Sequence, residues 1–249
     1  MAVTADGGSR DGSGQVRGIL FDKDGTLLNF EATWTPVLKR LALEADGGDP
    51  ARAAALLEAG GYVAATGRFR SGSVIGAGTT DLIVRLWHPG EPAAALAERI
   101  VAMDRAFHDH GLKHSVPIDG AAAALDLLAA RGFIMGVATN DATEAAKAAL
   151  NATGLSRQVR HVFGYDSVQK PKPAPDMVHA FATASGIPAA EVVVVGDNLH
   201  DLTIARNAGA GLAIGVTSGN SVAEDLAALA DVVLPSIREV PAWLANHAA

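Results

Sequence analysis

The sequence predicts an α/β fold: a parallel sheet flanked by helices, interrupted after its first strand by an all-helical insertion. Three observations carry this expectation. From Ile118 onward, short apolar runs alternate with helical patterns, the rhythm of a parallel sheet wrapped by helices. The block from 30 to 114 is nearly all helical in its spacing, with no convincing strand. One strand-like run, Gly18-Ile19-Leu20-Phe21, stands before that block and apart from its sheet partners, so the block reads as an insertion that hangs over the end where the strand emerges.

Taken in order, Thr4 to Gly14 is rich in Gly, Ser and Asp. It lacks a basic end followed by an apolar segment, so it is read as a flexible tail and not as a signal peptide. The first strand runs into Asp22-Lys23-Asp24-Gly25-Thr26. Alternate strand residues point the same way, which starts the two carboxylates on one side, and Gly25 permits the turn that follows. Glu31 to Asp46 carries Trp34, Val37, Leu38 and Leu41 at helical spacing. Gly47 to Pro50 ends it and starts a second helix at Ala51–Ala59. A glycine-containing loop over 60–78 holds Arg68 and Arg70. Thr79 to Asp81 starts a helix with Leu82, Ile83 and Leu86 as its apolar face, and Ala93 to His110 reads as a long helix.

The alternating half gives a helix over 120–131, a strand at Phe133–Ala138 ending at Thr139, and a helix over 142–152. A short strand follows at His161–Phe163 and a helix over 176–185, introduced by prolines. Glu191–Val195 is an unbroken β-branched run, as in a strand buried on both faces. It ends at Gly196-Asp197-Asn198 and leads into a helix over 199–208. A strand at 212–216, a helix over 221–229 and a last strand over 231–234 complete the reading.

Composition narrows the function. With 249 residues, 49% hydrophobic and 19% charged, the chain buries one large core or two unequal ones. It has no cysteine, which excludes disulfides, thiol catalysis and cysteine-ligated zinc and fits a reducing, cytoplasmic setting. A formal charge of −7 with no basic run argues against nucleic acid as a partner. No apolar stretch is long enough to span a bilayer; the least charged region, near Gly209–Val216, is broken by glycines.

The chemistry converges where strands end. Ligands of open parallel sheets bind at the carboxyl ends of the strands, and three predicted strands end there in Asp22 with Asp24, in Thr139 and in Asp197. Lys170-Pro171-Lys172-Pro173-Ala174-Pro175 is fixed by its prolines and holds a lysine nearby; alone, it would read as a stiff linker. Asp197 and Asp201 alone would be acidic residues at a helix N-terminus, and Thr139 alone a cap.

As an ordered set, these residues resemble the four motifs of the haloacid dehalogenase (HAD) superfamily, on its phosphatase side. Asp22-Lys23-Asp24-Gly25-Thr26 is similar to the first motif, Thr139 after its strand to the second, Lys172 in Lys-Pro-Ala-Pro to the third, and Gly196-Asp197-Asn198-Leu199-His200-Asp201 to the fourth. Both Lys170 and Lys172 precede a proline; comparison with relatives favours Lys172 and keeps Lys170 in reserve. The resemblance implies a Rossmann-like core domain over 16–29 and 115–249, a helical cap domain over 30–114 and a flexible tail over 1–15. The insertion between the first two motifs is similar to that of phosphoglycolate phosphatase-like and β-phosphoglucomutase-like enzymes.

The resemblance also implies roles. Asp22 is the nucleophile that forms an aspartyl-phosphate, and Asp24 the acid and then the base. Mg²⁺ is held by Asp22, Asp197 and the backbone carbonyl of Asp24. Thr139, Lys172 and the amide of Asn140 hold the phosphoryl oxygens, and Asp201 stands behind, fixing Lys172 or a metal-bound water. The expected partner is a small phosphorylated metabolite, with no nucleic acid and no membrane; the sequence leaves the oligomeric state open. A phosphomutase and a non-catalytic phospholigand-binding protein remain as alternatives, while dehalogenation is disfavoured by the presence of Asp24. In the cap, Arg68 and Arg70 are candidates for reading a second anionic group of the substrate. Trp34 either walls the entrance or packs the cap base. His108, His110 and His114 are read as surface or packing residues, because residues two apart on a helix do not face each other.

Overall fold

A computed structural model describes residues 3–4 and 15–247. The strands are β1 (Val3–Thr4), β2 (Gly18–Phe21), β3 (Tyr62–Val63), β4 (Arg68–Phe69), β5 (Ile134–Ala138), β6 (Val159–Phe163), β7 (Val192–Gly196), β8 (Leu212–Val216) and β9 (Val232–Leu234). Seven of them form one sheet in the order β1-β9-β8-β7-β2-β5-β6. The six strands from β9 to β6 are parallel. β1 adds antiparallel to β9, so Val3 and Thr4 of the expected tail belong to a strand; residues 1–2 and 5–14 lie outside the described residues. β2 lies at the middle, hydrogen-bonded to β5 on one side and β7 on the other. That register sets the ends of the three motif-bearing strands side by side.

The helices are α1 (Phe30–Ala45), α2 (Pro50–Ala59), α3 (Val74–Ala77), α4 (Thr80–Trp87), α5 (Ala93–His114), α6 (Ala121–Ala130), α7 (Thr143–Ala152), α8 (Asp176–Ser185), α9 (Leu199–Ala208), α10 (Ala223–Ala227) and α11 (Val240–His247). One face of the sheet packs Ile19, Phe21, Val193 and Val195 against Leu125, Leu128 and Leu244 from α6 and α11. The other packs Leu20, Val192 and Val194 against Phe181 and Leu202 from α8 and α9. All five residues of β7 are buried, and each valine is worth roughly 1.5–3 kcal/mol relative to exposure. This explains an unbroken β-branched run in place of alternation. Among the described residues, no helix is long and apolar enough to cross a membrane.

Residues from α1 to α5 build a third apolar cluster of their own around Trp34, Phe69, Val84 and Phe107. This inserted cap differs in three details from the expected pattern. It contains the hairpin β3–β4. α4 buries Ile83, Val84 and Trp87 while Leu82 is exposed, because the face is set by docking and not by the first apolar residue. α5 continues past Gly111, whose bare Cα faces Ala149 of α7 and Trp34 of α1. At the chain end, α11 lies beyond the last predicted strand, and a capping box of Ser236 and Glu239 precedes it.

Candidate active site

Asp22 follows β2, and its backbone N–H is fixed to Val195 O of β7 at 2.8 Å. Asp197 follows β7. The carboxylates of Asp22, Asp197 and Asp201 bring ligand oxygens within 4.8 Å of one another, and each residue is 9% exposed or less. Like charges so close and so dry favour protonation. Burial first, then the Asp201 charge, pushes Asp22 up to about 6. Burial and the charges of Asp22 and Asp201 hold Asp197 well above the ordinary carboxylate range.

Lys172 supplies the counter-charge. Its Nζ donates to Asp22 Oδ1 and to Asp201 Oδ1, each at 2.6 Å. Burial opposes its charge, but the Asp201 and Asp22 carboxylates outweigh it and raise its pKa. Lys170 is exposed. Asp201 also accepts from Asn198 N at 3.0 Å, closing a capping box on α9. It is therefore both a helix cap and the anchor of Lys172. One cation against three carboxylates leaves a surplus of negative charge. A hard divalent cation with oxygen ligands fits that surplus, and Asp22 and Asp197 are placed to hold it.

Backbone freedom makes this packing possible. Gly25 sits at φ +81°, and a Cβ there would lie 2.5 Å from the Asp197 carboxylate. A Cβ on Gly219 would lie 1.8 Å from Asp197 Oδ2. The loop after β8 thus closes directly on Asp197, and Asn220 N donates to Asp197 Oδ2 at 3.0 Å.

Thr139 and Asn140 follow β5. The Thr139 hydroxyl accepts from Asp141 N at 3.2 Å and keeps its own proton to donate. The Asn140 side chain donates to Ala77 O of the cap at 2.8 Å and accepts from Lys172 N at 3.1 Å. It therefore ties the lysine loop to both domains.

Asp24 lies on the cap side. Trp34 Nε1 donates to Asp24 Oδ1 at 2.5 Å, and Lys23 Nζ donates to Oδ2. Lys23 is fully buried, reaches Asp141 at 2.9 Å and lies over the Trp34 ring. Burial pushes Asp24 up to about 6, with Lys23 opposing and Asp141 and Asp22 adding to the rise. Trp34 also packs edge-on against Phe107, so it both builds the cap base and touches the site. Sequence reasoning missed Lys23, although a lysine inside a buried strand-end run has to find anionic partners.

A cavity of about 50 Å³ lies between sheet and cap, lined by Asp22, Asp24, Thr139, Lys172 and Asp197 together with cap residues Phe30 and Ile75–Gly78. Neither cap arginine lines it. Arg68 is turned outward, donating to Gly219 O at 2.6 Å and reaching Glu31 at 3.4 Å. Arg70 is exposed and bonds Glu58 O at 3.3 Å. A carbonyl and a carboxylate at the cap–core seam engage Arg68, and Arg70 lines the outer groove of the cap. His110 bonds Thr33 O at 2.6 Å and lies tilted against the rings of Trp34 and His114, a packing role.

The family described as haloacid dehalogenase-like hydrolase matches residues 16–209. A phosphoglycolate phosphatase from Thiobacillus denitrificans is 30% identical over 90% of this chain and 93% of its own length. The protein named "Probable phosphatase IndB" of Dickeya dadantii is 39% identical over 49% of this chain, which spans about half (53%) of that protein. The crystal structure of CbbY from Rhodobacter sphaeroides in complex with phosphate shares the fold, with a TM-score of 0.66 and 22% identity over 90% of this chain and 96% of that one.

Proposed function

The chain belongs to the haloacid dehalogenase-like hydrolase family and is a phosphatase of that group, and from that premise we propose that it hydrolyses a small phosphomonoester, of the size of phosphoglycolate, in a Mg²⁺-dependent reaction through an aspartyl-phosphate on Asp22. The observation that carries this reading is the cluster of Asp22, Asp197 and Asp201 around Lys172 at the strand ends. Bound by Asp22, Asp197 and the Asp24 carbonyl, Mg²⁺ supplies positive charge against the carboxylates and the phosphoryl oxygens.

An Asp22 carboxylate oxygen forms a bond to phosphorus as the bond from phosphorus to the ester oxygen breaks. Asp24 gives that oxygen its proton, and the alcohol leaves. Asp24, now a carboxylate, takes a proton from water as the water oxygen bonds to phosphorus and the Asp22–phosphorus bond breaks. Inorganic phosphate leaves, and both aspartates are restored. Thr139, Asn140 and Lys172 hold the transferring oxygens throughout. Lys172 keeps its proton at every step, because two carboxylates hold its pKa up. The setting is read as cytoplasmic.

The test is a phosphoester panel with Mg²⁺ and no bisphosphate activator, run on wild type and Asp22→Asn. Wild type is expected to release inorganic phosphate and to form an acid-stable, hydroxylamine-sensitive phosphoenzyme. Asp22→Asn is expected to do neither; metal-dependent turnover in that variant removes the nucleophile assignment.

A further inference from the structure

The groove on the outer face of the cap shares no lining residue with the phosphoryl cavity. Its volume is about 460 Å³, within the roughly 300–1,000 Å³ of small-molecule sites. Leu43 of α1, Ala53 and Leu57 of α2, and Tyr62 and Val63 of β3 give it an apolar wall. Two cations, Lys39 and Arg70, stand in that wall, and among the described residues Glu58 is the one acid beside them. We propose that the groove binds a small organic monoanion with an apolar body, an alkyl or aryl-alkyl carboxylate, and that its occupancy strengthens the contact between cap and core. The binding is independent of the phosphatase reading; its effect on the metal site rests on that reading.

The wall sets the body of the ligand. α2 turns Pro50, Ala53, Ala54, Leu57 and Glu58 toward the groove, the three-and-four spacing of one helix face. Apolar surface laid open in this way gains from being covered by hydrocarbon. The charges set the head. The Lys39 ammonium lies over the Tyr62 ring, 5.1 Å from its centroid, and Arg70 donates to Glu58 O at 3.3 Å. Among the described residues neither cation is in a salt bridge. With Glu58, the lining holds two positive charges and one negative, a surplus of one. A carboxylate matches that surplus, and an ammonium has the wrong sign. Lys39 and Arg70 are exposed, so each ion pair contributes little alone, and the apolar wall supplies most of the affinity. Arg70 thus keeps an anion-binding role, on the outer face of the cap.

β3 connects the groove to the active site. Val63 pairs with Arg68 of β4, and Tyr62 with Phe69. Arg68 bonds Gly219 O at 2.6 Å, and the next residue, Asn220, holds Asp197 through its N–H at 3.0 Å. Phe69 packs edge-on against Phe30 at 5.5 Å, and Phe30 lines the phosphoryl cavity. A two-stranded hairpin is marginal by itself. A ligand on Tyr62 and Val63 therefore supports the strand that holds Arg68 against the Asp197 loop.

The experiment titrates the full chain by calorimetry with three probes that share one body: 4-phenylbutyrate, 4-phenylbutan-1-ol and 4-phenylbutylammonium. The first series is run in chelator, where the carboxylates of the active site repel an anion. Phenylbutyrate is expected to bind one to one, and more tightly than the alcohol by about fivefold or more, as two exposed ion pairs allow. The ammonium is expected to bind more weakly than the alcohol. Lys39→Gln with Arg70→Gln should make acid and alcohol equal, and Ala54→Glu should abolish the binding of phenylbutyrate. All three substitutions are at exposed side chains. The second series adds Mg²⁺. By linkage, a ligand that favours the metal site is itself bound more tightly when the metal is present. Mg²⁺ should therefore tighten phenylbutyrate binding in wild type and leave it unchanged in Arg68→Ala. No saturable binding, equal affinity for the alcohol or the ammonium, or full affinity in Ala54→Glu overturns the site. So does a dimer that Ala54→Glu abolishes in a chain that ignores phenylbutyrate, which assigns the face to a second copy. If Mg²⁺ raises Tm but does not change phenylbutyrate affinity, the link to the core is overturned. If Mg²⁺ changes neither, that link falls together with the metal reading, and the groove stands on the chelator series.

Discussion

With no solvent exposure, the Lys23 ammonium is held, among the described residues, by the Asp24 and Asp141 carboxylates and the face of Trp34. Removing one member of a buried ion pair leaves the other uncompensated, at a cost of about 3–5 kcal/mol. Lys23→Met is therefore expected to lower Tm, and Asp141→Asn in the same chain to recover part of the loss. The catalytic consequence has a definite sign. Lys23 opposes the rise that burial imposes on Asp24, which stands at about 6. Without Lys23 the Asp24 proton is held more tightly. Phosphorylation of Asp22 uses protonated Asp24, so kcat/KM should fall as pH rises past the Asp24 pKa. In Lys23→Met that falling limb should move to higher pH; a limb that stays in place would show that Asp24 is not the acid. Lys23 went unread in the sequence because its second partner, Asp141, lies beyond β5 and only the fold brings the two together.

At the level of elements, the loop after β8 joins the two domains. Ser218 donates to Gly25 O at 2.6 Å and Asn220 N holds Asp197, while Arg68 bonds Gly219 O and Ser71 meets Ser221 at 2.7 Å from the cap side. Cap position is thereby tied to Asp197, one of the carboxylates proposed to hold Mg²⁺. Arg68→Ala is expected to raise the Mg²⁺ concentration for half-maximal activity, with a smaller change in rate at saturating Mg²⁺. A fall in saturated rate with unchanged Mg²⁺ dependence would return Arg68 to a substrate role. Helix α5 gives an independent check. A Cβ at Gly111 would lie 3.5 Å from the Ala149 methyl and 3.6 Å from Trp34, ordinary contact distances. Gly111→Ala should stabilise the chain by about 0.5–1 kcal/mol, read as a higher denaturation midpoint. Helices bounded by strong local signals, such as α8 with its prolines and Gly186 or α9 with its capping box, were readable from the sequence to the residue. The α4 face and the passage of α5 through Gly111 were not, because distant packing partners decide them.

Across the whole molecule, the sheet order explains why the site could be read from the chain at all. Parallel strands all end on one side, so Asp22, Thr139 and Asp197 had to converge once the strands were recognised; the arginine seam and the cap-side wall of the cavity depend on how the cap closes, which no local pattern encodes. The same convergence makes the site a strain on the fold. Asp22 has a folded pKa of about 6 against an ordinary 3.8, and Asp197 is raised likewise. Between those values the folded state keeps protons that the unfolded chain has lost, so the contribution to stability falls as pH rises through that window and stays low above it. Divalent cation binding, which acts on the ionised carboxylates, should restore what deprotonation removes. In chelator, Asp197→Asn is thus expected to have a higher Tm than wild type at pH 7.5, by roughly 2–6 °C at about 2–4 °C per kcal/mol for a chain of this size, and the gap should close toward pH 4. Adding Mg²⁺ at pH 7.5 should raise the wild-type Tm and leave the variant almost unmoved. A variant that is less stable than wild type in chelator, or that still gains stability from Mg²⁺, would mean that Asp197 is neither the strained group nor a ligand.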